Sequence, residues 1–169
     1  MVTSDANAGF IDRSAFNNFQ PKLITRLENG VRLLALKQKN LKQAEDFFRR
    51  ALTTKSDYNA ALIDHAIALL LLKRAWEAVP EFQKALQINP KSLKAQANLA
   101  AALCDLHRYP EACEAWAHAS ELSPDDPDLR TNLGLALQKA GRASEAQKAL
   151  AEAEKLRTAQ KKAASSGTN

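Results

Sequence analysis

A 34-residue period runs through this chain and confines it to folds built from stacked copies of one unit. A polar turn followed by Ala, three residues and a bulky side chain recurs at Ala44 and Phe48, Ala78 and Phe82, Ala112 and Trp116, and Ala146 and Leu150, each pair 34 residues after the last. A second column of small residues, Ala51, Ala85, Ala119 and Ala153, keeps the same spacing, as do the segment ends Ser56, Pro90, Pro124 and Thr158. No insertion breaks the register. Aromatic residues make up only 6% of the 169, so the core must come mainly from Leu and Ala, which favour helix.

Within a unit the pattern is that of two helices meeting at small residues. Ala66, Ala100 and Gly134 stand at matching places in the first segment, opposite Ala78, Ala112 and Ala146 in the second, while Leu69, Leu103 and Leu137 supply bulk beside the contact. One such hairpin cannot bury its apolar face alone, so neighbouring hairpins have to share a core. Ser92 and Asp126 precede first helices as N-caps, Pro127 fits the first helical position, and Pro90 and Pro124 close second helices. Pro80 falls near the end of the first turn of its helix, where a proline is tolerated or kinks the chain. Trp76 and Trp116 occupy core places of second helices.

These residues resemble the tetratricopeptide repeat (TPR) family, whose unit is a pair of antiparallel helices. The likeness is carried by Ala78, Phe82, Ala85 and Pro90, by Leu99, Ala100, Leu103, Tyr109, Ala112, Ala119 and Pro124, and by Leu133, Gly134, Leu137 and Ala146. It implies an all-α, right-handed superhelical solenoid with repeats at 25–58, 59–92, 93–126 and 127–160. Residues 1–24 form an N-terminal arm, and 161–169 a helix end and tail. Residues 144–163 read as one long capping helix with Ala146, Ala149, Leu150, Ala153 and Leu156 inward and Gln147, Lys148, Glu152 and Lys155 outward. The first unit departs from the pattern, because Arg32 stands in the small-residue column unless a longer loop brings Gly30 there.

In the family the first helices line a concave groove that holds a peptide or partner segment. Carried over residue by residue, the groove here consists of Leu33, Leu36, Ile63, Ile67, Leu70, Leu71, Lys94, Asn98, Ala101, Asn132 and Leu135, with Cys104 and Asp105 beside them. The segment from Ala60 to Leu72 has only Asp64 and His65 as polar members and must be covered on every side. A partner segment, a second copy of the chain, or the chain's own arm with Phe10, Phe16 and Phe19 could cover it. Asn98 and Asn132 share one column and either form a short amide ladder for an extended backbone or bond neighbouring helices. Of the five polar groups in the dicarboxylate clamp of heat-shock co-chaperones, only one matches in either frame, so acidic chaperone tails are not expected ligands.

The net charge of +5 is split. Residues 1–58 carry ten Lys/Arg against six Asp/Glu, 59–126 six against nine, and 127–169 eight against four, which disfavours a continuous track for a phosphate backbone. No catalytic, metal or cofactor motif stands out. His65, His107 and His118 are scattered and read as solvated or capping, and Cys104 and Cys113 read as packed thiols, the first towards the groove and the second towards the outside. The longest apolar run is far too short to span a membrane. The expectation is a non-catalytic, cytoplasmic adaptor or scaffold for a protein or peptide segment; a small secretion-type chaperone and a homodimeric structural module are the alternatives.

Overall fold

The computed structural model describes residues 41–42, 45–46, 48–49, 52–53 and 58–166. The N-terminal arm, Gly30, Arg32, Leu33 and Leu36 lie outside them. Helical residues within 41–53 precede six helices: α1 (Asn59–Leu71), α2 (Ala75–Ile88), α3 (Leu93–Asp105), α4 (Tyr109–Leu122), α5 (Pro127–Lys139) and α6 (Ala143–Ser166). First helices start at 59, 93 and 127 and second helices at 75, 109 and 143, so each series advances by 34 residues. Each helix packs on the next in chain order, and α1 also touches α3. Among the described residues all regular structure is helical, and the fold is a solenoid of helical hairpins.

The hairpins close on the small-residue contacts. Ala66, Ala100, Ala78 and Ala112 are fully buried, with Leu69, Leu103 and Leu137 buried beside them and Phe82 and Trp116 filling the second helices. Glycine is required at 134 by distance. A Cβ there would lie 2.7 Å from Leu150 Cγ, 2.8 Å from its Cδ2 and 3.3 Å from the Ala146 carbonyl oxygen. Leu150 thus occupies the space that an alanine would need.

Helix starts follow the sequence. Ser92 Oγ accepts a hydrogen bond from the Ala95 amide at 3.3 Å, and Asp126 Oδ1 accepts from the Asp128 amide at 2.9 Å, with Pro127 at the first position of α5. The turn inside each hairpin uses a device the sequence does not announce. Lys73, His107 and Gly141, one repeat apart, all have positive φ (63°, 58° and 77°). In the first turn the Lys73 amide donates to the Leu70 carbonyl and the Arg74 amide to the Leu69 carbonyl. The same pair of bonds recurs at His107 and Arg108 and at Gly141 and Arg142. This is a Schellman closure, which satisfies the last carbonyls of the first helix and reverses the chain. Only the third copy has glycine, so Lys73 and His107 hold a left-handed conformation against the steric cost of a Cβ.

Two expectations are corrected. Trp76 is 69% exposed and not in the core, because as the second residue of α2 it projects from the helix start, away from the buried face of Ala75, Ala78, Val79 and Phe82. Cys113 is 2% exposed and belongs to the shared core, because its face of α4 turns towards the following hairpin rather than outward. Pro80 sits in the second turn of α2, on its exposed side, and the helix runs on to Ile88 with the Trp76 carbonyl denied its usual amide donor.

Gly134→Val is expected to lower stability by about 1–3 kcal/mol through overpacking. Combined with Leu150→Ala, the loss should fall short of the sum of the single changes, as read by urea unfolding. Lys73→Gly should do the opposite and add about 1 kcal/mol, measured in the same way, because it removes the left-handed strain without touching a buried contact.

Candidate functional site

The first helices leave one side partly exposed, and successive units supply equivalent positions along it. Ile67, Ala101 and Leu135 make one column, running from α1 through α3 to α5. Ile67 and Ala101 are half-buried, whereas Leu135 is 50% exposed. Leu70 and Cys104 form a second column that is also half-buried, and Leu71 opens the lip at 38% exposure. Ile63 is different. At 7% exposure it belongs to the core with Leu62 and Ala66, so, contrary to the expectation from sequence, it is not open to a ligand.

Asp64 and His65 of α1 are buried as well, and each is joined to another helix. Asp64 Oδ1 accepts a hydrogen bond from Lys94 Nζ at 2.8 Å, tying α1 to α3 across a repeat boundary. His65, expected to be solvated, is buried, with Nδ1 at 2.7 and 2.8 Å from the two Glu81 carboxylate oxygens. The pair joins α1 to α2. α1 is enclosed on most sides, with Asp64 and His65 each joined to another helix, while His65 Nε2 and Asn59 Oδ1 are buried without a hydrogen-bond partner among the described residues.

Most polar groups along the inner face are already engaged. Lys94 is held by Asp64. Asn98 Nδ2 donates to the Lys94 carbonyl at 2.7 Å, a bond to its own helix and not to a neighbour. Arg157 of α6 donates to Asp128 Oδ1 at 2.8 Å and to Thr131 Oγ1 at 3.0 Å. Asn132 makes no hydrogen bond among the described residues, and Asp105 and Lys139 make no ion pair there. Paired charges flank a mainly apolar strip, with these three groups left open.

At the other side of the hairpins a second series recurs that the sequence reading missed. Arg74, Arg108 and Arg142 each clamp a glutamate three residues on, Glu77, Glu111 and Glu145, through two guanidinium nitrogens. An Arg-x-x-Glu recurring every 34 residues was the available signal. Arg74 also reaches Glu45 of the preceding helix at 2.8 Å. The fork holds each carboxyl of Glu77, Glu111 and Glu145 below its ordinary value of 4.5, and it raises Arg74, through Glu77 first and Glu45 second. Burial pushes both thiols up from 9.0, with a Trp116 hydrogen bond opposing the shift at Cys104 and Arg142 opposing it at Cys113. Thiols of this kind are protonated and slow to react at neutral pH. Among the described residues no three His, Cys, Asp or Glu gather as metal ligands, and no helix is long and apolar enough to cross a membrane.

Residues 102–141 match the family model described as TPR repeat. The chain is 34% identical over 62 residues to protein O-mannosyl-transferase Tmtc3 of Drosophila melanogaster, a match that covers 37% of this chain and 7% of that protein. Among solved structures it resembles MamA, with a TM-score of 0.69, 18% identity, and coverage of 83% of this chain and 86% of that one. MamA of Desulfovibrio magneticus RS-1, from residue 41 to its end, gives 0.67 at 21% identity, covering 79% and 75%. YrrB, described as a TPR protein with an unusual peptide-binding site, gives 0.67 at 21% identity, covering 73% and 63%. At these identities the structural likeness speaks for fold. With the family match at residues 102–141 and the unbroken 34-residue register, the chain resembles the tetratricopeptide-repeat family and shares its fold.

The forks set a pH dependence. A carboxyl whose folded pKa is depressed contributes stability above its unfolded value, and that stability is lost as pH falls through the folded value. The melting temperature is therefore expected to hold from pH 7 down to about 4.5 and to fall below it. A triple Glu77→Gln/Glu111→Gln/Glu145→Gln variant should start lower and show a flatter acid limb in circular-dichroism melts.

Proposed function

We propose that this chain is a non-catalytic adaptor whose inner face holds a segment of another polypeptide. The observation that carries the reading is the continuous strip of Ile67, Leu70, Leu71, Ala101 and Leu135. It stays accessible while Asp64, Lys94, Asp128 and Arg157 beside it are paired with one another. Accessible apolar surface bordered mainly by satisfied polar groups is what a protein-binding site requires, since burying it leaves few charges unpaired. The peptide-binding site for which YrrB is described belongs to the same fold and supports the reading. A chaperone role would use the same strip to hold an apolar client segment. The free thiols Cys104 and Cys113 suit a reducing, cytoplasmic setting. Leu33 and Leu36 extend the same groove in this reading, and nucleic acid is disfavoured by the acidic middle of the chain.

The test uses an Ile67→Glu/Leu135→Glu variant, which spares the buried Ile63. Affinity capture with wild-type protein is expected to retain partners that the variant loses while its helical circular dichroism is unchanged. Capture of the same proteins by both forms would overturn the reading. A wild-type mass that doubles with concentration, and stays monomeric in the variant, would assign the strip to a second copy of the chain.

A further inference from the structure

The groove's middle unit is smaller than its neighbours. In the central column Ala101 stands between Ile67 and Leu135, and Cys104 stands beside Leu70, so the floor dips over α3 between branched side chains on α1 and α5. Beneath it Trp116 is buried in the core, and the half-buried Cys104 packs against that core, which makes the thiol part of the floor. A depression of this kind accommodates one bulky apolar side chain, the type of anchor that dominates protein interfaces.

The lip adds charge. Asp105 and Lys139 occupy equivalent positions at the ends of α3 and α5, both exposed and neither in an ion pair among the described residues. The two stand one repeat apart in the same register, as flanking side chains of an extended chain rising about 3.3 Å per residue can also stand. Asn132, whose amide makes no hydrogen bond among the described residues, presents both a donor and an acceptor to a backbone. An extended segment has unsatisfied backbone groups for it, and a helix does not.

Resting on the adaptor reading above, we infer that the groove's ligand is an extended segment with one bulky apolar residue seated over Ala101 and Cys104, flanked by a basic residue at Asp105 and an acidic residue at Lys139. The mixed charge of the lip selects against segments carrying two like charges, because one of them would face its own sign. The apolar anchor supplies the grip and the lip supplies the choice of partner.

The test is binding of immobilised nonapeptides with a fixed central Leu or Phe, randomised neighbours, and flanking positions that are Lys with Glu, Lys with Lys, or Glu with Glu. Both orders of the mixed pair are included because chain direction is left open. Wild-type protein is expected to bind mixed-charge peptides at least fivefold more tightly than either like-charged set. Asp105→Lys should move the preference to the doubly acidic set, and Lys139→Glu to the doubly basic set. Ala101→Trp should weaken every set at least tenfold, and bound peptide should protect Cys104 but not the already buried Cys113 from alkylation. Circular dichroism and melting checks exclude variants that have unfolded. Binding that is lost in Ile67→Glu/Leu135→Glu but indifferent to flank charge and to Ala101→Trp would overturn this inference and leave the adaptor reading standing. Absence of peptide binding by the wild type would also overturn it, and the capture experiment then decides the broader reading separately.

Discussion

The close approach of two helices at small side chains is the constraint on which the rest of this molecule depends. Where Ala66 meets Ala78, and Ala100 meets Ala112, no bulk separates the backbones, and the large residues Leu69, Phe82, Leu103 and Trp116 are displaced to either side. That displacement fills the space between hairpins, so one contact both closes a unit and makes it adhere to the next. At Gly134 the approach is tight enough that Leu150 already takes the place of a Cβ. Geometry set at these points then propagates by repetition, since every unit meets its neighbour with the same offset.

Two further devices repeat with the same period and act at opposite ends of the turn problem. The Schellman closures at Lys73, His107 and Gly141 finish the first helix by satisfying its last carbonyls. The Arg–Glu forks beginning one residue later open the second helix and place a carboxylate in its first turn, where the helix dipole favours it. Adjacent in sequence, the two leave little freedom in the angle between helices.

Part of the charge on the inner face is mutually satisfied. Asp64 with Lys94 and Asp128 with Arg157 cross between helices, so they serve the stack as much as the surface. What they leave open is an apolar strip whose relief follows residue size, high at Ile67 and Leu135 and low at Ala101. The same economy explains why α1, nearly devoid of polar residues, needs no partner to cover most of itself. Asp64 and His65 are drawn inward, and their bonds to Lys94 and Glu81 make that burial tolerable.

Much of the architecture could be read from residues alone, because helix pairing at small side chains leaves a periodic mark that survives without coordinates. The small-residue columns, the caps at Ser92 and Asp126, and the long final helix with Ala146, Ala149 and Ala153 inward are all local or strictly repeating. The site was less legible. Periodicity assigned Ile63 and Ile67 to one face, yet one is sealed and the other accessible, since burial depends on how far neighbouring helices lean over each position. Trp76 misled for the same reason, as a large apolar residue carries no label saying whether its helix end is covered. The glutamate that meets His65, and the aspartate that binds Lys94, lie 16 and 30 residues away in sequence. The sequence by itself thus determined the repeating unit, its register and its caps, which follow from short-range sterics. Only the tertiary structure decided which groove residues remain open and which charges cancel, because those outcomes depend on distances between helices that no single repeat contains.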